Sequence, residues 1–109
     1  TVWSRNRTDY DLALYVANWP APCSLHWQAL LQARAIENWA YVEGCNRVGS
    51  DGNGHHYRGD SQIISPQGIV LASADAHQAT RLDASLSLHA LQEYREAFPA
   101  WQDADPFSL

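Results

Sequence analysis

Asp11-Leu12-Ala13-Leu14-Tyr15-Val16-Ala17-Asn18, followed at once by Trp19-Pro20-Ala21-Pro22, is the stretch whose reading decides the fold. It is a nearly continuous apolar run of strand length, stopped by a proline-rich turn. Strands covered on both faces in α/β proteins have this pattern, so a central strand is predicted over Asp11 to Asn18. Downstream, Pro22-Cys23-Ser24 offers a helix start with Ser24 as N-cap, and Leu25 to Ala40 supplies a helix rich in Ala, Leu and Gln. Leu30, Ala33, Ile36 and Ala40 recur at helical spacing and are predicted to form the face that packs on a sheet.

Further outward, Tyr41 to Val48 reads as a second strand, closed by the glycine-rich turn Gly49-Ser50-Asp51-Gly52-Asn53-Gly54. Asp60 to Ser65 and Gly68 to Ser73 flank Pro66-Gln67 as a hairpin, with Gly68 supplying the permissive backbone of the turn. Thr80 to Ala84 is predicted to add a strand. Ser87 caps a last helix striped by Leu88, Leu91, Tyr94 and Phe98 and stopped by Pro99. The aromatic and acidic tail from Trp101 to Leu109 has no periodicity and is expected to lie on another surface. Strand, helix, strand, hairpin, strand, helix is an α/β order with mixed strand directions and no break between domains. Helices on one face only would leave apolar sheet surface exposed, and that surface needs a partner.

Composition bounds the function. The chain has 109 residues, with 7 basic and 12 acidic side chains and a net charge of −5. A folded chain of this size buries about two-thirds of its surface, enough for a core. With 46% hydrophobic and 17% charged residues the sequence is not that of a disordered chain. An acidic chain without a basic cluster lacks the footprint of a nucleic-acid binder. The uncharged run from Leu12 to Ala33 is interrupted by Asn18, Pro20, Pro22, Ser24, His26, Gln28 and Gln32, so no membrane span is expected. Two cysteines, Cys23 and Cys45, make no disulfide framework, and a reduced, cytoplasmic setting is the expectation. The start at Thr1-Val2-Trp3 reads as the middle of a longer sequence.

Each candidate for chemistry has a plainer reading beside it. Cys45 or Cys23 could attack a carbonyl or nitrile carbon as a thiolate, yet Cys45 falls mid-strand, where cysteine is usually a small buried hydrophobe, and Cys23 in a turn. His55-His56 with Asp51 and Asp60 has the residue types of a divalent-ion site, but neighbours on a strand point to opposite faces. Asp51-Gly52-Asn53-Gly54 begins like a calcium loop and lacks the closing glutamate. Arg58-Gly59-Asp60 is a coincidental match to an adhesion tripeptide. Arg34, Glu37 and Asn38 share one side of the helix and are either a structural pair or a support for a site or interface. Asn18-Trp19-Pro20 follows the strand directly, at the carboxyl end where open α/β sheets bind ligands. The plain alternative is a turn closed by Asn and Pro.

Tyr10-Asp11 through Pro20, Ala33-Arg34-Ala35-Ile36-Glu37-Asn38, Gly44-Cys45-Asn46-Arg47-Val48-Gly49, Asp51-Gly52-Asn53-Gly54 and Gly59-Asp60-Ser61 together resemble the C-terminal half of a nitrilase-superfamily carbon-nitrogen hydrolase, nearest to the bacterial omega-amidases. The resemblance runs over residues 1–109, including Arg95, Phe98-Pro99 and the Trp101-to-Phe107 tail. It implies half of a four-layer α-β-β-α sandwich, the C-terminal part of a single domain, with homodimers paired across a helical face. It also implies amide hydrolysis by a Glu-Lys-Cys triad: the thiolate forms a thioester, the glutamate is general base, and the lysine stabilises the oxyanion. No metal or organic cofactor takes part. The substrates implied are dicarboxylate monoamides such as 2-oxoglutaramate and 2-oxosuccinamate.

The triad itself is expected upstream of Val2-Trp3-Ser4-Arg5. The chain contains no lysine, and neither cysteine aligns with the nucleophile, so no residue here is assigned a catalytic role. By resemblance, Asn18 and Trp19 border the acyl pocket and contact substrate, while Arg34 and Glu37 support the site and the dimer face. The partners expected are a small amide substrate, the N-terminal half of the same domain and a second copy. The chain alone is expected to be inactive. The alternatives are a non-catalytic half-domain pairing through an exposed sheet face, and a thiol enzyme using Cys45.

Overall fold

A computed structural model describes residues 4–6 and 9–99. The segments beginning at Thr1 and at Trp101 to which the sequence reading gave roles lie outside those residues. The elements are β1 (Leu12–Ala17), α1 (Ser24–Asn38), β2 (Tyr41–Asn46), β3 (Val48–Ser50), β4 (His56–Arg58), β5 (Gln62–Ile64), β6 (Val70–Ser73) and α2 (Leu88–Ala97). One four-stranded sheet has the order β1-β2-β5-β6, and β3 pairs with β4 in a separate ribbon. β1 and β2 are parallel, in register from Leu12 opposite Tyr41 to Ala17 opposite Asn46. Parallel neighbours need a crossover, and α1 provides it. β5 runs antiparallel to both β2 and β6. This is the α/β order with mixed directions expected from the sequence.

β1 is a strand, but not a central one covered on both faces. It stands at the end of the sheet order, and its residues alternate between exposed and half-buried. Ala13, Tyr15 and Ala17 pack against the core under α1. Leu12, Leu14 and Val16 face the other way, with Leu14 64% and Val16 85% exposed. The continuous apolar run records two apolar faces, of which the described residues cover one.

The core is Trp27, Leu31 and Ala35 of α1 against Val42 and Ile64 of the sheet. The buried stripe of α1 is therefore rotated from the one expected, since Leu30 and Ile36 are exposed. Two features set the rotation. Trp27 donates its indole N–H to the Asp60 carbonyl at 2.8 Å. Gly44 leaves room where a Cβ would lie 2.4 Å from Leu31 Cδ1 and 2.9 Å from Trp27 Cζ2. Ser24 is the first residue of α1 instead of its N-cap: a 3-10 turn over Ala21–Cys23 leads in, Cys23 holds the cap position without a side-chain bond, and the Ser24 hydroxyl donates to the Asp60 carboxylate. The helix ends on Trp39, at φ 46°.

The β5–β6 hairpin forms as predicted, with Gly68 at φ 86° and its N–H donated to the Ser65 carbonyl at 2.9 Å. The predicted strand from Tyr41 to Val48 is split at Arg47 into β2 and β3, whose guanidinium carbon sits 4.5 Å from the Tyr57 ring centre. Thr80 to Ala84 is not a strand; it forms no ladder, and Thr80 and Leu82 line a cavity together with Ile63. Ser87 caps α2 by accepting from the Ala90 N–H at 3.0 Å. Of the α2 stripe, Leu91 is buried while Leu88 and Phe98 are exposed. Among the described residues no helix is long and apolar enough to cross a membrane.

Candidate substrate-binding edge

Because β1 and β2 are parallel, their carboxyl ends leave the sheet at one edge, where open α/β sheets hold ligands. The segment Asn18-Trp19-Pro20 emerges there from β1, and Asn46 ends β2 beside it. Asn46 ties the two together. Its side-chain oxygen accepts the Trp19 N–H at 2.8 Å, and its amide nitrogen donates to the Trp19 carbonyl at 3.0 Å and to the Gly59 carbonyl at 2.9 Å. These partners fix which end of the amide is oxygen. The Asn46 backbone is held in turn by the Ser61 hydroxyl, which accepts its N–H at 2.9 Å.

Trp19 lies over the core, its ring 5.9 Å from that of Trp27. Together with Tyr15, Ala17, Leu31 and Arg34 these rings line a cavity of about 340 Å³. Asn18 is exposed and lies outside that lining, so Trp19 and Arg34 come together at one cavity while Asn18 stands apart. Arg34 Nη1 meets Glu37 Oε1 at 2.6 Å, with Arg34 mostly buried and Glu37 more exposed. Burial opposes ionisation of Glu37, and the hydrogen bond and positive charge of Arg34 favour it. Arg34 also borders a second groove with Tyr10, Leu12 and Leu14. There burial pushes the Tyr10 hydroxyl up to about 12.

Asn38, the third residue predicted on that helix side, is buried in a clasp. Its oxygen accepts the Asn6 N–H at 2.9 Å, and Asn6 Nδ2 donates back to the Asn38 carbonyl at 3.2 Å and to the Tyr10 carbonyl at 2.7 Å. Asn46 lies within the motif Gly44 to Gly49, but neither it nor Asn6 carries a role predicted from the sequence. A carboxamide placed at the last position of a parallel strand was the available signal for Asn46.

The other candidates are engaged elsewhere. Asp51 organises the β3–β4 turn, accepting the Asn53 and His55 N–H groups at 2.9 Å each and the Tyr57 hydroxyl at 2.9 Å. Burial acts against it, but these donors, the His55 amide foremost, hold the carboxyl below its ordinary range. The bond that Tyr57 donates to Asp51 pushes its hydroxyl up. His56 Nδ1 lies 2.7 Å from the Ser50 hydroxyl, and Asp60 pairs with Arg58 at 3.2 Å. Among the described residues no three His, Cys, Asp or Glu side chains converge. Cys45 is exposed on the bare sheet face, opposite Val16, and not the buried hydrophobe its place in the strand suggested. Cys23 is a half-buried free thiol in the 3-10 turn.

Comparison with known proteins places this geometry. Residues 3–96 match the carbon-nitrogen hydrolase family. The chain is 80% identical over 108 residues to omega-amidase YafV of Escherichia coli strain K12, covering 99% of this chain and 42% of that protein. It is 37% identical over 103 residues to 2-oxoglutaramate amidase of Bacillus subtilis, covering 93% of this chain and 39% of that protein. The crystal structure of a CN-hydrolase superfamily protein from Xanthomonas campestris superposes with a TM-score of 0.96 at 43% identity, over 100% of this chain and 44% of that one. The chain thus spans less than half the length of these relatives. With its α/β half-sandwich, its matched family pattern and these relatives, the chain belongs to the carbon-nitrogen hydrolase family.

Proposed function

We propose that this chain is the C-terminal part of a single hydrolase domain, and that the whole protein is an omega-amidase releasing ammonia from dicarboxylate monoamides such as 2-oxoglutaramate or 2-oxosuccinamate. The 80% identity to an omega-amidase over nearly the whole chain carries this reading. The 2-oxoglutaramate amidase among the relatives supports the substrate class. In the proposed chemistry a cysteine thiolate adds to the amide carbonyl and a lysine stabilises the oxyanion. A glutamate passes a proton to the leaving nitrogen, ammonia departs, and water cleaves the thioester. A sequence without lysine cannot supply the complete triad, and in this reading, as the resemblance implies, the triad lies in the upstream part of the protein.

In this reading the chain builds the wall of the site. Trp19 borders the acyl pocket, a role supported by its place at the shared carboxyl edge and over a cavity. Asn18 reaches substrate from the exposed side of the same loop, and Arg34 with Glu37 braces the helix behind it. The N-terminal half covers the bare face carrying Leu14 and Val16. Leu30, exposed on α1 one turn before Arg34 and lining the same cavity, suits pairing with a second copy. Two free cysteines fit a reducing cytoplasm.

Ammonia release from 2-oxoglutaramate, measured for the full-length polypeptide and for this stretch alone, tests the proposal. Activity of the full-length protein and silence of the stretch are expected. A stretch that turns over amide by itself would overturn the upstream triad and direct attention to Cys45. A full-length protein silent on every monoamide would favour a non-catalytic half-domain pairing through its bare sheet face.

A further inference from the structure

We infer that Asn46 is a positioning residue for substrate, acting by holding the Trp19 loop at the mouth of the site. The role rests on the amidase reading above. One side chain engages both polar groups of a single peptide residue: Asn46 takes the Trp19 N–H at 2.8 Å and gives to the Trp19 carbonyl at 3.0 Å, as a neighbouring strand would. The ladder between β1 and β2 ends with Ala17 opposite Asn46, so this carboxamide continues the strand pairing past the point where the backbones part. A third bond, to the Gly59 carbonyl at 2.9 Å, ties the same amide to the segment leading into β5. The Ser61 hydroxyl fixes the Asn46 backbone from below, accepting its N–H at 2.9 Å and donating to its carbonyl at 3.2 Å.

The consequence is that Trp19 is held from two sides. Its backbone is held by Asn46, and its ring leans on Trp27, itself anchored on the Asp60 carbonyl. Loops at the carboxyl edge are ordinarily the mobile part of an α/β fold. Here the indole that lines the cavity is fixed before any ligand arrives, which lowers the ordering cost of binding.

The test uses the full-length protein and the variant Asn46→Asp. It keeps size and the acceptor for the Trp19 N–H, but sets a carboxylate oxygen against two carbonyl oxygens. The expected result is a rise of about tenfold or more in KM for 2-oxoglutaramate with a smaller fall in kcat. Loss of folded protein alone would lower apparent kcat and leave KM where it was. Combining the change with Trp19→Ala should add nothing to the KM of Trp19→Ala alone, because both act through one loop. If Asn46→Asp is not recovered folded, Asn46→Ser carries the same comparison. An unchanged KM, or additive effects in the double variant, would overturn the role of Asn46 while leaving the amidase reading intact. A wild-type protein silent on monoamides would overturn the amidase reading, and this role with it.

Discussion

Gly44 is a position at which one added carbon would be felt across the whole core. A Cβ there meets Leu31 and Trp27 well inside contact distance, and both are core side chains with little room to retreat. Gly44→Ala in the full-length protein is expected to destabilise it by about 1–3 kcal/mol, read as a lower urea midpoint. Asp51 gives a residue-scale prediction about pH. Its folded carboxyl titrates below its ordinary value of 3.8, so its contribution to the β3–β4 turn is present above that value and is lost as pH falls through the lower, folded value. The amide signals of Asn53 and His55 should report that loss, and their indifference to acid would refute it. At this scale the sequence was legible in part. Ser87 and Gly68 act as predicted, because cap and turn chemistry are local. Asn46 and Asn6 carry no predicted role, because the bonds that join them to Trp19 and to Asn38 span 27 and 32 positions, beyond any local pattern.

Elements were easier to find than to orient. β1, α1, β2, the β5–β6 hairpin and α2 all stand close to where hydrophobic periodicity put them. The spacing predicts Leu30, Ala33, Ile36 and Ala40 as the buried face of α1; Ala40, just past the helix, is buried, but within α1 the apolar residues buried are Trp27, Leu31 and Ala35. An α1 apolar on two sides carries two stripes, and periodicity alone does not rank them. The glycine at position 44 and the Asp60 carbonyl make the choice. α2 is attached by a single buried apolar residue, Leu91, and by Arg95, whose guanidinium donates to the Trp39 carbonyl at 2.9 Å, the Tyr10 carbonyl at 3.0 Å and Asp11 Oδ1 at 2.7 Å. Arg95→Lys keeps the charge but cannot reproduce that fork. It should cost about 1–3 kcal/mol and speed amide exchange in α2 ahead of α1; uniform exchange through both helices would count against this anchoring.

At the largest scale the described part of the chain is a slab, 45 × 34 × 18 Å, with a radius of gyration of 15.2 Å against about 13 Å for a compact chain of about a hundred residues. Its thinness follows from one helical layer on one sheet layer. The exposed Leu14 and Val16 have the composition of a core and the accessibility of a surface. Val16→Lys should therefore act in opposite senses in two settings. In the isolated stretch it should reduce self-association and dye binding, whereas in the full-length protein it should lower the melting temperature, because a charge would be placed between two sheets. A full-length protein that melts unchanged would show this face to be uncovered there too. The sequence foretold that apolar surface would be left over. Which residues it comprised depended on the edge position of β1, which no window of β1 itself encodes.

The crossover from β1 to β2 has a consequence in time. The β5–β6 and β3–β4 hairpins close over short loops, whereas β1 and β2 must wait until the segment from Asn18 to Ala40 has coiled into α1 and brought them side by side. The bond between Asn46 and Trp19 belongs to that late event. The edge proposed to meet substrate is thus among the last parts of this chain to assemble, and a refolding protein would regain its hairpins before its grip on a ligand.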